Sequence, residues 1–296
     1  MKMLLAALLL LPSLAQAETA PETAYAYVSA LQPPAWIVVK DQRGALGSSA
    51  PIPSGATIIT GPGARVHVAL ADGSLLKLGE NTTLSLPTLQ LRSGKPGDIL
   101  GATLKLSSGT LRYTTHKQQG AIKNELTVQV GNALSAQTTT VDLCAEATSE
   151  ANRLVLLGGN LTVTPSQKPA LTMAQANTAY TAYRKSKTGT DGVAPLPQSA
   201  ALTTGVEFDS RHPALQSNGP YRVVLALYAE NEKAQERVRR YAELGYPVEL
   251  QRPTKLLPTY RVTLEGLSNA TDAKNFAELL KQRLKLVNPQ VESLMQ

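Results

Sequence analysis

The side chains that most often perform catalysis or hold metals are few and scattered in this chain of 296 residues. There is one cysteine, Cys144, and there are three histidines, His67, His116 and His212. A single cysteine excludes an internal disulfide framework and any multi-cysteine zinc or iron–sulfur site. A lone thiol without a neighbouring base is typically buried and inert. None of the histidines has a carboxylate at a spacing that would make it a general base.

Motifs for nucleophilic catalysis, zinc binding and nucleotide binding do not occur either. The sequence has no Gly-x-Ser-x-Gly elbow and no His-Glu-x-x-His pair. Gly61-Pro62-Gly63 begins like a dinucleotide-binding loop, but Val66 stands where the third glycine belongs, and a strand pattern follows instead of a helix. We therefore predict a protein that is not an enzyme and that has no catalytic residues, no metal site and no cofactor.

Residues 220–296 show a pattern that could position a binding surface instead. Apolar alternation predicts strands over 221–228, 248–251 and 260–264, and a period of 3.6 predicts helices over 230–244 and 272–286. Gly245 is suited to cap the first helix, and a final strand is expected over 291–295. The order β-α-β-β-α-(β) predicts an α+β domain in which two helices cover one face of an antiparallel sheet. The other face is then left to solvent or to a ligand.

Strand parity indicates which side chains lie on that uncovered face, because alternate residues of a strand share a face. In the first strand Val223, Leu225 and Leu227 should point toward the helices. The residues expected on the uncovered face are Arg222, Val224, Ala226, Tyr228, Glu249, Gln251, Arg261 and Thr263. This face would combine an aromatic ring with several hydrogen-bonding groups. An ordinary solvated face, with Arg and Thr for solubility, is the alternative.

Residues 36–163 have a different character. Short apolar runs, several of them alternating with polar residues, are separated by turn residues roughly every 8–12 positions, as in all-β proteins. Asp72-Gly73 lies between two such runs and predicts a hairpin with a type I′ turn, in which both residues have positive φ. An all-β sandwich or roll is the expected fold of this part.

The first 17 residues have the features of a secretory signal peptide. Lys2 is followed by an apolar run from Leu4 to Leu11 and by the small-residue site Ala15-Gln16-Ala17, so we expect cleavage after Ala17. The apolar run is shorter than the roughly 20 residues of a membrane span. Loss of Lys2 changes the formal charge from +7 to +6. This charge favours anionic surroundings, and in an exported protein nucleic acid is the least expected of them.

The remaining boundaries follow from shifts in composition. Residues 18–35 are predicted to form a leader and residues 36–188 the β domain, with a helix over 171–187 near its end. Residues 189–219 are rich in Gly, Pro, Ser and Thr and predict a flexible linker to the domain at 220–296.

The stretch from Ser54 to Leu86 resembles the core of the FecR domain family. The matching elements are Gly55, Ile58 to Gly61, Ala64 to Val66, Asp72 to Ser74 and Leu76 to Leu78; Ser108 to Arg112 and Leu126 to Val141 resemble the family's second half. The resemblance covers residues 36–164 and implies an exported, β-rich bacterial domain that often accompanies cell-wall-binding modules. Founding members are signalling regulators with a membrane helix and a cytoplasmic tail. The sequence lacks both patterns, so that role is not expected here.

Residues 220–296 resemble the SPOR domain family, whose modules bind peptidoglycan glycan strands stripped of stem peptides. The similarity lies in the element order, in Tyr228-Ala229-x-x-Glu232-x-Ala234 and in Tyr260-Arg261-Val262-x-Leu264-x-Gly266. Val224 takes the place of a glutamine common in the family's first strand. The family's glycan groove is the open sheet face. The resemblance therefore implies a glycan site formed by Arg222, Val224, Tyr228, Gln251, Arg261 and Thr263.

Together these features predict a periplasmic protein that binds denuded glycan without catalysis, with the β domain as a platform for another envelope protein. Two alternatives remain. The C-terminal sheet could have lost sugar binding through Val224 and could dock a protein partner instead. The chain could also be a regulatory subunit of an envelope assembly, with the β domain as its active part.

Overall fold

The computed structural model describes residues 24–95, 97–116, 122–184, 189–196 and 200–294. The predicted signal peptide and its cleavage site lie outside the described residues. Within them, the N-terminal part is almost entirely β-structure, and the C-terminal part combines four strands with two helices.

The N-terminal part is built from short strands and one short helix. In chain order they are β1 (Ala26–Gln32), β2 (Ala35–Val39), β3 (Gln42–Ala45), β4 (Thr57–Thr60), β5 (Arg65–Leu70), β6 (Leu75–Leu78), β7 (Thr83–Arg92), β8 (Asp98–Thr114), β9 (Ile122–Val130), β10 (Leu134–Thr138), β11 (Val141–Ala147), β12 (Ala151–Gly159), β13 (Leu161–Pro165), β14 (Leu171–Met173), β15 (Thr178–Tyr183), β16 (Gly192–Pro195), α1 (Ala200–Thr204) and β17 (Leu215–Gln216).

These strands form two sheets that share β8. Sheet A has the order β17-β1-β5-β6-β8-β11-β12-β15-β16. Sheet B has the order β3-β2-β4-β7-β8-β9-β10-β13-β14, in which only β8 and β9 are parallel. The first half of β8 pairs within sheet B and its last six residues, from Gly109 to Thr114, pair within sheet A. The predicted all-β sandwich or roll is confirmed.

The core of this part follows from strand alternation. In β5, Val66, Val68 and Leu70 are buried, whereas Arg65, His67 and Ala69 face away from the core. Apolar residues of both sheets form one cluster with the same alternation. Burial of these side chains is the main force that holds the two sheets together.

The helix predicted over 171–187 is wrong. The described residues of this stretch form β14, which pairs with β13, and β15, which pairs with β12. Asn177 has a φ of 59° at the turn between them, which no α-helix accommodates. Thr and Tyr in β15 fit a half-buried pleated surface, and Tyr180 is buried against the core.

The leader and the flexible linker also contain ordered elements that composition did not indicate. Residues 26–32 form β1, which lies between β5 and β17 and buries Val28 and Leu31. In the stretch assigned to the linker, β16 pairs with β15, and Val206 and Leu215 are buried. Buried apolar residues and strand pairing therefore hold both segments against the β domain.

The hairpin at Asp72-Gly73 is confirmed, but its turn is not of type I′. Gly73 has a φ of 81°, whereas Asp72 is not among the residues with positive φ. The amide of Gly73 donates to the carbonyl of Leu70, and the Asp72 carboxylate accepts hydrogen bonds from the amide and the hydroxyl of Ser74. The aspartate side chain therefore stabilises the turn in place of a second left-handed residue.

The C-terminal part has the predicted order. It comprises β18 (Tyr221–Tyr228), α2 (Asn231–Glu243), β19 (Glu249–Gln251), β20 (Tyr260–Leu267), α3 (Ala270–Leu284) and β21 (Gln290–Ser293). The sheet is antiparallel with the order β19-β20-β18-β21. Buried side chains of α2 and α3, among them Tyr241, Phe276 and Leu280, join the strands in the core. Gly245 follows α2 with a φ of 82°, as its capping role requires.

The two parts are in direct contact near the C-terminal end of α2. The indole Nε1 of Trp36 donates to the carbonyl of Glu243 at 3.0 Å. The amide of Ala35 donates to the carbonyl of Gly245, also at 3.0 Å. The β domain therefore adjoins the C-terminal end of α2.

Candidate functional site

The face of the small sheet that points away from α2 and α3, here called the outer face, carries the polar residues of four strands. Arg222 lies between Glu265 and Glu292 in register, and Val224 lies between Thr263 and Gln290. Glu249 pairs with Thr263, and Gln251 pairs with Arg261. Five of the six predicted site residues thus lie together on this face, as parity indicated.

Three of these residues form one ionic network with two glutamates. Arg222 donates from Nη1 to Glu265 at 3.2 Å and from Nε to Glu292 at 3.0 Å. Arg261 forms an ion pair with Glu292 as well. Gln251 donates from Nε2 to Glu265 at 3.1 Å. The network connects all four strands and uses groups that were expected to be free for a ligand.

The path of the Arg261 side chain explains why the residues at the centre of the outer face are not accessible to solvent. Arg261 is paired with Leu227, whereas its partner Glu292 is paired with Arg222. Between these two positions lies the row formed by Thr263 and Val224, so the Arg261 side chain extends across that row. Arg261 is 5% exposed, Val224 2% and Thr263 0%. A ligand on this face would meet the ionic network and its rim, not Val224 or Thr263.

Glu292 owes its charge state to this arrangement. Burial by itself raises the pKa of a carboxyl group, but the hydrogen bonds from Arg261 and Arg222 outweigh it and hold the pKa of Glu292 below its usual value. The carboxylate is therefore ionised across the neutral range, and both arginines stay oriented by it.

The predicted placement of Tyr228 on the outer face is wrong, because β18 contains a bulge. Val224 pairs with Thr263 and Ala226 with Val262, so Leu225 is an extra residue in the ladder. One extra residue reverses the parity of everything after it. Tyr228 therefore packs on the helix side, where its hydroxyl contacts Arg237. Leu227, expected to point inward, is 50% exposed.

Sequence reasoning missed Glu265, Glu292, Gln290 and Leu227 as residues of the outer face. Glu265 and Glu292 could have been suggested by charge, since two arginines on one face require acidic partners. Leu227 could not have been found, because nothing local in the sequence indicates the bulge.

A cleft of about 300 Å³ continues the outer face toward the β domain. Glu249 and Glu265 line it from the small sheet, and Ser48, Ser49 and Gln216 line it from the other side. The wall groups are mostly hydroxyls, carboxylates and backbone. The outer face and this cleft together form one polar surface that reaches the β domain.

Three further features of the described part of the chain concern metal-ligating groups, the reactivity of its thiol and membrane-spanning helices. No group of three His, Cys, Asp or Glu residues there could hold a metal ion. Cys144 is buried, as predicted for a lone thiol, and burial raises the pKa of its thiol to about 12. No described helix has the length and apolar character needed to cross a membrane.

Comparison with known proteins assigns both parts of the chain. The family model described as FecR protein matches residues 56–162, and the SPOR domain model matches residues 217–291. No curated protein matches the sequence.

Two crystal structures of a candidate anti-sigma factor from Parabacteroides distasonis ATCC 8503 are similar in part. The structure at 1.65 Å is 13% identical, with a TM-score of 0.38 over 80% of this chain and 95% of the other. The structure at 2.50 Å is 12% identical, with a TM-score of 0.39 over 77% and 91%.

The element order, the uncovered polar face and the family matches agree on both parts of the molecule. The SPOR family is a family of peptidoglycan-binding domains. This chain therefore carries a FecR domain at residues 56–162, followed by a domain of the SPOR family at residues 217–291.

Proposed function

We propose that this protein is exported to the periplasm, where it binds denuded glycan strands of peptidoglycan through the outer face of its SPOR domain. It acts without catalysis, and the FecR domain serves as a platform for another envelope protein. The observation that carries the proposal is that the buried side chains of α2 and α3 pack in the core on the opposite side of the sheet, whereas several hydrogen-bonding side chains line the outer face.

The chemistry of this face suits a glycan strand. A strand without stem peptides presents hydroxyl, acetamide and carboxylate groups, which need both donors and acceptors. Arg222 and Gln251 supply donors, and Glu249, Glu265 and Glu292 supply acceptors. Leu227 offers the apolar contact that Tyr228 was expected to provide. The cleft beside Glu249 and Glu265 extends the surface in the way that a linear polymer requires.

Sedimentation with purified sacculi tests this proposal. Full-length protein lacking the signal peptide should sediment with amidase-treated sacculi and much less with untreated ones. The double variant Arg222→Gln/Gln251→Ala should lower the bound fraction about tenfold, as expected when two central contacts are lost. Lys274→Gln, an exposed change on α3, serves as the matched control.

The proposal fails if the folded double variant sediments as the parent does, or if amidase treatment makes no difference. Circular dichroism verifies that the variant is folded. A fluorescent fusion adds a test in cells, because glycan binding should concentrate the protein at sites of wall remodelling such as the septum. A uniform envelope distribution would contradict that.

A protein-interaction or regulatory module without glycan binding is the second candidate. The observation that favours it is that Arg222, Arg261 and Gln251 already have internal partners, and that Val224 replaces the family's glutamine. This candidate predicts that the chain does not sediment with any sacculi but still captures its envelope partner through the FecR domain.

A further inference from the structure

The last part of β18 is an unpaired strand edge. β21 pairs with Tyr221 to Val224 and goes no further, because Gln290 is its first residue. From Ala226 to Tyr228, the described strands pair with β18 on the β20 side alone. Among the described residues, no loop supplies a backbone hydrogen bond to this stretch either. The central strand β18 thus becomes an edge strand over its last three residues, Ala226 to Tyr228.

This edge opens into a groove of about 390 Å³. The loop from Lys285 to Asn288 forms one wall, and Arg237 and Tyr241 of α2 form the other. Two apolar side chains stand at the mouth of the groove, Leu227 at 50% exposure and Val287 at 92%. The groove is separate from the ionic network, since none of the charged groups of that network lines it.

The groove has a positive charge that nothing in the described chain balances. Arg237 and Lys285 line it, and no carboxylate does. Neither cation forms an ion pair with a described residue. Arg237 is held by its cation–π contact with Tyr241, at 5.6 Å from the ring centroid, and by the hydroxyls of Tyr241 and Tyr228. Its position is therefore fixed while its charge remains available.

We propose that this groove binds an extended peptide segment of a partner protein, which adds to the free edge of β18 in line with β21. The unpaired N–H and C=O groups of the edge require a partner with the same spacing, and an extended peptide has it. Arg237 and Lys285 select a peptide with acidic side chains, and Leu227 and Val287 select apolar side chains at alternate positions. The occupant is thus an acidic, strand-forming peptide, and this inference does not depend on glycan binding.

Titration of ¹⁵N-labelled full-length protein with a defined octapeptide tests the inference. The probe alternates valine with glutamate or threonine, Val-Glu-Val-Thr-Val-Glu-Val-Thr. We expect amide shift changes at Ala226, Leu227 and Tyr228, and slower hydrogen exchange there. Arg237→Gln and Lys285→Gln should each weaken binding about threefold to fivefold, as for a partly exposed charge pair. Lys274→Gln, an exposed change on α3 outside the groove, should leave peptide binding unchanged.

Two N-methylated versions of the probe examine backbone pairing directly. Methylation of the amides that face β18 removes the donors and blocks the approach, whereas methylation of the alternate amides does not. Strand addition therefore predicts that one version loses binding at least about tenfold and that the other retains it.

Several results would overturn the inference. They are equal binding of both methylated peptides, equal binding of a peptide with lysine in place of glutamate, and no detectable binding at a peptide concentration of about 1 mM. Shift changes confined to Arg222 and Glu265 would overturn it as well.

Discussion

At the scale of single residues, one carboxylate organises the outer face of the SPOR domain. Glu292 of β21 binds Arg222 of β18 and Arg261 of β20, so a single side chain ties three strands together. The same contacts cover Val224 and Thr263. This network explains why two predicted site residues are buried although they lie on the uncovered face.

Glu292→Gln should lower the free energy of unfolding by about 1–3 kcal/mol at neutral pH, because the buried guanidinium of Arg261 and the half-buried one of Arg222 lose a charged acceptor. The pKa of Glu292 is lowered in the folded state, so its contribution is complete above the ordinary value of 4.5 and disappears as the pH falls through the folded value. The parent protein should therefore lose stability when the pH is lowered. The variant lacks the contribution of Glu292 at every pH and should lose less. Urea unfolding at pH 7 and pH 4 measures both effects.

The matched control is Glu278→Gln on α3, whose side chain is 68% exposed and lies 3.9 Å from Lys281. It should change stability by less than about 0.5 kcal/mol. Equal effects of the two substitutions would show that the network does not stabilise the sheet.

At the scale of elements, single positions in long strands decide which sheet or face a segment belongs to. The extra residue Leu225 reverses the faces of β18 and brings Tyr228 to α2. In β8 the transfer from sheet B to sheet A occurs at Gly109, which has a φ of 86°. A Cβ at Gly109 would lie 2.5 Å from the Cα of Thr82, so the crossing depends on glycine.

Gly109→Ala should destabilise the FecR domain by at least about 1–3 kcal/mol, the range for a left-handed backbone conformation forced on a residue with a side chain. The collision with the backbone of Thr82 adds to this. Thermal unfolding followed by circular dichroism measures the change. Gly44→Ala is the control, because a Cβ there meets nothing within 4 Å. Similar melting temperatures for both variants would rule out this role of Gly109.

At the scale of the whole molecule, the segment between the two domains is bound to the FecR domain. We call residues 205–216 the strap. Phe208 stacks on His67 with ring centroids 3.9 Å apart, and Glu207 forms an ion pair with Lys77. Gln32 holds the next part of the strap through hydrogen bonds with Asp209 and His212. These contacts fix the position from which the SPOR domain starts.

The strap should loosen in acid because of His67. Burial lowers the pKa of His67, and the positive charge of Lys77 lowers it further. The hydrogen bond to the carbonyl of Val206 and the negative charge of Glu207 raise it, but they do not outweigh burial. Glu207 also lies 3.6 Å from Arg112. The docked strap therefore stabilises the neutral form of the His67 imidazole. The stability of docking falls as the pH drops below the ordinary histidine pKa of 6.5. Trypsin cleavage after the exposed Arg211 should accelerate from pH 7.5 to about 5.5, after correction for trypsin activity on a free peptide.

His67→Gln should remove most of this pH dependence while retaining a donor for the carbonyl of Val206. His116→Gln, a histidine outside the strap contacts, should retain it. If the His67 variant shows the same acceleration as the parent, another group controls the strap.

The sequence by itself determined the two-part architecture and nearly all elements of the SPOR domain. Helices α2 and α3 and strand β18 were predicted to within two residues at each end, because local apolar periodicity and capping residues define such elements without reference to distant contacts. The same parity placed Arg222, Gln251 and Arg261 on one face. The helix predicted over 171–187 failed, because alternating Thr and Tyr acquire strand geometry from the neighbours with which they pair.

Only the tertiary structure decided which of these residues are accessible. The bulge at Leu225, the path of Arg261 to Glu292 and the docking of the strap all depend on contacts between segments far apart in the chain. A one-residue shift in a ladder costs little locally but reverses every side chain beyond it. For that reason the pattern predicted the sheet and its open face, whereas pairing and packing determined what that face presents.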